Sequence, residues 1–174
     1  MENIHLEKEL VDLSGVDENI KIILTPFPID ISNCIEWAKH PSAGAISTFI
    51  GTTRDNFDGQ QVISLEYSCY PPMAITETKK LCNEVFIKFS SKVPPSRCCN
   101  NSISDVLLDN TVKKVLVVHR LGNVAVSEAS ILIAVTTPHR ELGLNACQFL
   151  IDSIKKSVPI WKKELLGNGK AFWK

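Results

Sequence analysis

Residues 129–158 limit the fold of this chain more than any other stretch. ASILIAVTTP, at 129–138, is an apolar, β-branched run, and it reads as a strand buried on both faces or nearly so. It passes straight into a segment where Leu144, Cys147, Leu150, Ile151, Ile154 and Val158 recur at helical spacing. That periodicity predicts an amphipathic helix over 139–157. Thr137 is placed to cap it, and Pro138 suits its first turn. Val158-Pro159 should end it, because the residue before a proline is pushed out of the helical region.

The rest of the chain alternates between the same two kinds of element. KIILTP at 21–26 reads as a strand. DISNCIEWAKH at 30–40 reads as a short helix capped by Asp30 or Ser32, with Ile31, Cys34, Ile35 and Ala38 on one face. AISTFIGTT (45–53) and VISLEYSCY (62–70) are strand patterns, expected to pair with each other antiparallel. RDNFDGQQ between them is polar and turn-rich and reads as a mobile loop. Residues 71–92 predict a helix with Pro71 or Pro72 in its first turn. Its apolar side is Ile75, Leu81, Cys82, Val85, Phe86 and Phe89.

Residues 93–110, rich in Pro, Ser, Asn and Cys, read as an inserted loop. KKVLVVHRLG (113–122) is a strand, and IWKKELL and AFWK are short edge strands. The whole reads as one α+β domain over 20–174, with a mainly antiparallel sheet, preceded by a flexible extension at 1–19.

Bulk composition narrows the function classes. With 19 basic and 19 acidic residues the formal net charge is zero, so nothing global favours nucleic acid or an anionic membrane surface. No apolar run approaches the roughly 20 residues that cross a bilayer, and the polar, acidic start resembles neither a signal nor a transit peptide. A cytosolic location is the expectation. The six cysteines show no CxxC pair and no zinc-ligand spacing. Cys34, Cys82 and Cys147 fall in apolar helical patterns and are expected as free core thiols; Cys98-Cys99 falls in a polar loop.

Chemistry concentrates at the two ends of the 139–157 helix. His139 and Arg140 stand at its start, where free backbone N–H groups and the positive dipole end favour an anion such as phosphate. Lys155, Lys156, Lys162 and Lys163 surround Pro159 and Trp161 near its end. Clustered ammonium groups favour one another's neutral, nucleophilic form, so this is a candidate reactive-amine site. Trp161 is expected to be buried enough to fix the turn. His139 and Lys155 are 16 residues apart, roughly 24 Å along a straight helix. If one small substrate meets both, His139 and Arg140 must come from a second copy in a two-fold dimer. Arg54, at the end of the 45–53 strand, is a further candidate anion ligand. His119-Arg120, at another strand end, is expected to serve structural pairing.

Four pieces carry a resemblance: GAISTFIGTTRD at 44–55, LEYSCYPPMA at 65–74, VVHRLGNVAVSEASILIAVTTPHR at 117–140 and IKKSVPIWKKE at 154–164. In order and spacing the chain resembles the catalytic (large) subunit of molybdopterin synthase. The resemblance implies an α/β hammerhead-like layer with additional antiparallel strands. It implies a sulfurtransferase that converts precursor Z, a cyclic pyranopterin monophosphate, into molybdopterin. The two sulfurs come from the thiocarboxylated C-terminus of a ubiquitin-like small subunit. It also implies a homodimer core inside a heterotetramer, and no bound metal or organic cofactor.

By position, Lys155 and Lys162 match the family's active-site lysines. His139 and Arg140 match its substrate-binding pair, Arg54 its strand-end arginine, and Lys163 and Glu164 its substrate-contacting stretch. Ser127 stands where the family pattern favours glycine, which should alter a turn and not the chemistry. The competing reading is a non-catalytic dimeric module that binds a phosphorylated metabolite or a ubiquitin-like partner. A nucleic-acid binder is disfavoured by the neutral charge and the lack of basic-aromatic interleaving.

Overall fold

The computed structural model describes residues 11–12, 18–90 and 111–173. The expected loop at 93–110, Cys98-Cys99 and most of the 1–19 extension lie outside the described residues. Within that extension, β1 (Val11–Asp12) pairs antiparallel with β2 (Ile20–Thr25).

The remaining elements are α1 (Ile31–Ala38), β3 (Ala45–Thr52), β4 (Asn56–Phe57), β5 (Gln60–Cys69), α2 (Pro71–Lys88), β6 (Lys114–Arg120), β7 (Gly122–Ala125), β8 (Ala129–Thr137), α3 (Arg140–Ser157), β9 (Ile160–Leu166) and β10 (Ala171–Trp173). They build two sheets. The first has the order β1-β2-β6-β8-β3, antiparallel throughout except for the parallel β2–β6 pair. The second has the order β10-β9-β5-β4, with β7 also paired to β5.

Alternation along β6 and β8 divides the core. Val115, Val117, Ile131, Ile133 and Val135 face α2 and α3, while Leu116, Val118, Leu132 and Ala134 face Cys34 and Ala38 of α1. Both strands are therefore covered on both faces, as the unbroken apolar run of β8 predicts. Close contact is possible on one side because α3 carries Gly143: a Cβ there would stand 2.5 Å from Ser47 Oγ and 2.8 Å from Thr137 Oγ1. Cys34, Cys82 and Cys147 are buried free thiols. Burial pushes the Cys82 thiol up to about 12 and that of Cys147 to about 11, so both behave as core residues.

Several expectations are corrected. The 62–70 strand does not pair with the 45–53 strand: β5 lies in the second sheet against β9, β7 and β4, while β3 pairs with β8. RDNFDGQQ is not an open loop. It is a hairpin of β4 and β5 whose turn residues Asp58 (φ 48°) and Gly59 (φ 76°) are both left-handed, the geometry that matches the twist of paired strands. β9 is an interior strand, and only β10 lies at that edge. Thr137 does not cap α3. His139 takes the N-cap position without a side-chain bond, because the Thr137 hydroxyl donates instead to the His139 carbonyl at 2.9 Å. Leu144 is exposed, and the close-packed face of α3 is Gly143, Ala146, Cys147, Leu150, Ile151 and Ile154. By contrast Asp30 caps α1 as expected, accepting from the Asn33 N–H at 3.0 Å.

The turn after β7 settles the position of Ser127. Its φ is 70°, a conformation glycine adopts freely and L-residues do not. The strain is held by neighbours: the Ser127 N–H donates to the Thr53 carbonyl at 2.9 Å, and the Thr53 N–H to the Glu128 carbonyl at 3.1 Å. Ser127→Gly should relieve it, raising stability by about 1 kcal/mol, less what glycine loses in backbone entropy. Urea denaturation checks this; an unchanged or lower midpoint would show that the serine is not strained.

Candidate active site

A cavity of about 690 Å³ opens where the two sheets meet beneath the last turn of α3. Its walls come from β3, β5, β8 and β9, and its polar lining includes Arg54, Tyr67, His119, Lys155, Lys162 and Glu164. Four of the sequence-predicted residues thus converge: Arg54, Lys155, Lys162 and Glu164.

Each cation is placed by a local cause. Lys155 lies in the last turn of α3, which stops at Val158 as the following proline requires. The side chain is exposed, and its Nζ stands 5.8 Å from the centre of the Phe49 ring of β3, within cation-π range. Lys162 and Glu164 are two apart on β9 and so share the cavity face. Lys162 Nζ lies 2.8 Å from Glu164 Oε1, and the carboxylate is almost fully buried. Arg54 lies two residues past the end of β3. Its predecessor Thr53, 2% exposed, is tied through its backbone to Ser127 and Glu128.

Glu164→Gln keeps volume but removes the charge opposite Lys162. The Lys162 side chain is about one-third exposed, so water replaces part of what is lost. We expect a stability loss of about 1–2 kcal/mol, measured as a lower urea midpoint. A midpoint at the wild-type value would mean that the pair is not structural.

Other predicted residues lie elsewhere. Lys163 points to the opposite face of β9, 3.3 Å from Glu66 Oε2 and 5.4 Å from the Trp173 ring centre. His139 and Arg140 sit exposed at the far end of α3, roughly 24 Å from Lys155 by helical rise. Within one chain they do not reach the cavity. Trp161 is 49% exposed, contrary to the expectation of burial, because its place on β9 turns it away from Lys162 and Glu164.

His119 is the cavity residue that sequence reasoning set aside. It lies on β6 with 7% exposure, its ring edge-on to Tyr67 at 4.9 Å between centres. Its Nδ1 stands 2.8 Å from the Arg120 carbonyl, and a carbonyl only accepts, so Nδ1 carries the proton. Burial pushes the imidazole down to about 4, with the bond to Arg120 opposing that shift. His119 is therefore neutral near pH 7. Arg120, one residue on, takes the opposite face and bonds Glu128 Oε2 at 2.9 Å, the structural pairing expected of it. The Ala125 N–H, which bonds the same oxygen at 2.9 Å, and after it that guanidinium hold the Glu128 carboxyl below its usual range.

Among the described residues no cluster of His, Cys, Asp and Glu suits a metal ion. No helix among them is long and apolar enough to cross a membrane.

The model of the family described as "MoaE protein" matches residues 24–157. The human protein named molybdopterin synthase catalytic subunit is 38% identical, over 99% of this chain and 86% of its own length. Among solved structures, molybdopterin synthase from Staphylococcus aureus superposes with a TM-score of 0.70 at 27% identity, covering 92% of this chain and 98% of that one. A chain from the complex of subunits 1 and 2 of molybdopterin-converting factor of Helicobacter pylori superposes with a TM-score of 0.62 at 20% identity, covering 87% and 88%, a likeness of fold.

Proposed function

The chain belongs to the MoaE protein family, and on that premise we propose that it is the catalytic subunit of a molybdopterin synthase, a sulfurtransferase of molybdenum cofactor biosynthesis. Its substrate is precursor Z, and its sulfur donor is the thiocarboxylated C-terminal tail of a ubiquitin-like small subunit. The observation that carries this reading is the convergence of Arg54, Lys155, Lys162 and Glu164 on one cavity.

The roles follow from charge and placement. Arg54 offers a guanidinium to the cyclic phosphate, an anion it can bond through two N–H groups. Lys155, at the end of a helix and free of any carboxylate partner among the described residues, acts on the tail carbonyl and the pterin side chain as an acid-base or covalent amine. Lys162, held by Glu164, is the second amine, and its carboxylate partner fixes where the ammonium stands. His139 and Arg140 reach this site from a second copy, since their own helix carries them away from it. That arrangement makes the homodimer core, with one small subunit on each protomer, part of the site. Lys163 acts from the opposite strand face by holding β9 to Glu66. Sulfur arrives on the partner, so the reaction calls for no bound metal or organic cofactor. The same reading places the protein in the cytosol, where its buried thiols stay reduced.

Reconstitution tests this. The chain, thiocarboxylated small subunit and precursor Z should together yield molybdopterin, read as its oxidised fluorescent derivative. A folded dimer that binds the small subunit and yields none would leave a binding module and overturn the enzyme.

A further inference from the structure

The cavity contains a polar side chain to which the roles above give no task. His119 donates through Nδ1 to the Arg120 carbonyl, so its Nε2 keeps an in-plane lone pair and no proton. Among the described residues no protein group bonds that nitrogen. The ring cannot turn aside. Tyr67 stands edge-on to it, Ile131 pairs beside it across β6–β8, and the Nδ1 bond fixes its plane. Among the described residues the buried side-chain nitrogen or oxygen without a partner is Arg120 Nε, so His119 Nε2 is not sealed in the core and its lone pair opens onto the cavity. Such a group, fixed in the wall of a binding cavity, suits a ligand that supplies the donor.

The surrounding charges specify which donor. Lys155, Lys162 and Arg54, on three other elements of the lining, are all donors and meet the anionic or carbonyl parts of a ligand. Glu164 already faces Lys162, and Tyr67 presents its ring to His119. His119 thus offers a rigidly held neutral acceptor in a lining whose charged groups are mostly donors and whose other neutral polar groups are Thr52, Asn56, Tyr67 and Ser130. Resting on the function proposed above, the geometry points to His119 as a substrate-contacting residue: its Nε2 accepts a hydrogen bond from an N–H group of the substrate's nitrogen heterocycle, orienting the ring system while the cations hold the phosphate.

The test uses the full chain with the small subunit in its plain carboxylate form, so that precursor Z binds without turnover. His119→Phe keeps a ring against Tyr67 and removes the acceptor. His119→Asn keeps a donor for the Arg120 carbonyl but stops short of Nε2. Both should weaken precursor Z binding roughly tenfold, the worth of one hydrogen bond. Single turnover at saturating substrate, with the thiocarboxylated subunit, should stay within about threefold of wild type. His119→Gln, which returns an acceptor near the Nε2 position, should recover most of the affinity. Small-subunit affinity should be unchanged in all three, as a merely structural role would not guarantee. If either folded variant, Phe or Asn, binds precursor Z as tightly as wild type, His119 has no such role. If wild type itself binds no precursor Z, the functional reading falls and this inference with it.

Discussion

Lys155→Ala is expected to lower molybdopterin formation by about a thousandfold, within the range that loss of a positioned acid-base or covalent amine produces. The side chain is exposed and touches the rest of the fold through its approach to the Phe49 ring. Its removal should therefore cost stability no more than about 0.5 kcal/mol, as for an ordinary surface change. The two measurements together are decisive. A dead enzyme with a wild-type melting curve and intact small-subunit binding assigns Lys155 to the chemistry. Turnover within tenfold of wild type would remove it from the mechanism and leave Lys162 as the amine to examine.

The second large effect is an acid limb in stability. His119 folds with its imidazole pushed down by burial to about 4, whereas an unfolded histidine titrates near its ordinary value of 6.5. The folded state therefore binds fewer protons between those values, and stability rises with pH across that window. At pH 7 and above both states are neutral and His119 contributes nothing pH-dependent. Falling from pH 6.5 to 4, the unfolded chain takes up a proton that the native chain refuses, and about 3 kcal/mol of stability is lost. Chemical denaturation of wild type and His119→Asn at pH 7, 6, 5 and 4 isolates this residue, because carboxylates such as Glu128 titrate in both. The two curves should converge as pH falls. Parallel curves would mean that His119 takes up its proton over the same pH range in the folded and unfolded chain.

What could be read in advance followed local physics. The β8–α3 unit, the Asp30 cap, the proline stop at 158–159 and the buried thiols depend on neighbours in sequence, where periodicity and capping rules apply. The partner of β5 does not. Choosing β9 over β3 is a contact across about a hundred residues, and no local pattern encodes it. β7 was missed because four residues headed by a glycine carry too short an alternation to register. Arg54, Lys155 and Lys162 were legible from residue type and position, and Glu164 only through the family resemblance. His119 was not, since both faces of β6 are buried and an apolar strand gives no sign of which face meets a cavity. The split of Lys162 from Lys163 required knowing that IWKKELL is an interior strand whose two faces have different neighbours.

That split carries a consequence for how this protein can change over time. The cavity face of β9 is a matter of parity: even-numbered Lys162 and Glu164 look inward, while Trp161 and Lys163 look out. Substitutions alter one side chain, but loss or gain of a single residue after Cys69 and Ile160 pair would reverse every side chain beyond it. An exposed tryptophan and the Glu66-bound lysine would then enter the cavity, and Lys162 and Glu164 would leave it together. Two-residue changes keep the parity, whereas a single-residue change keeps it only where a bulge absorbs the extra residue, as the register shift between Val62 and Ser64 of β5 does against β9.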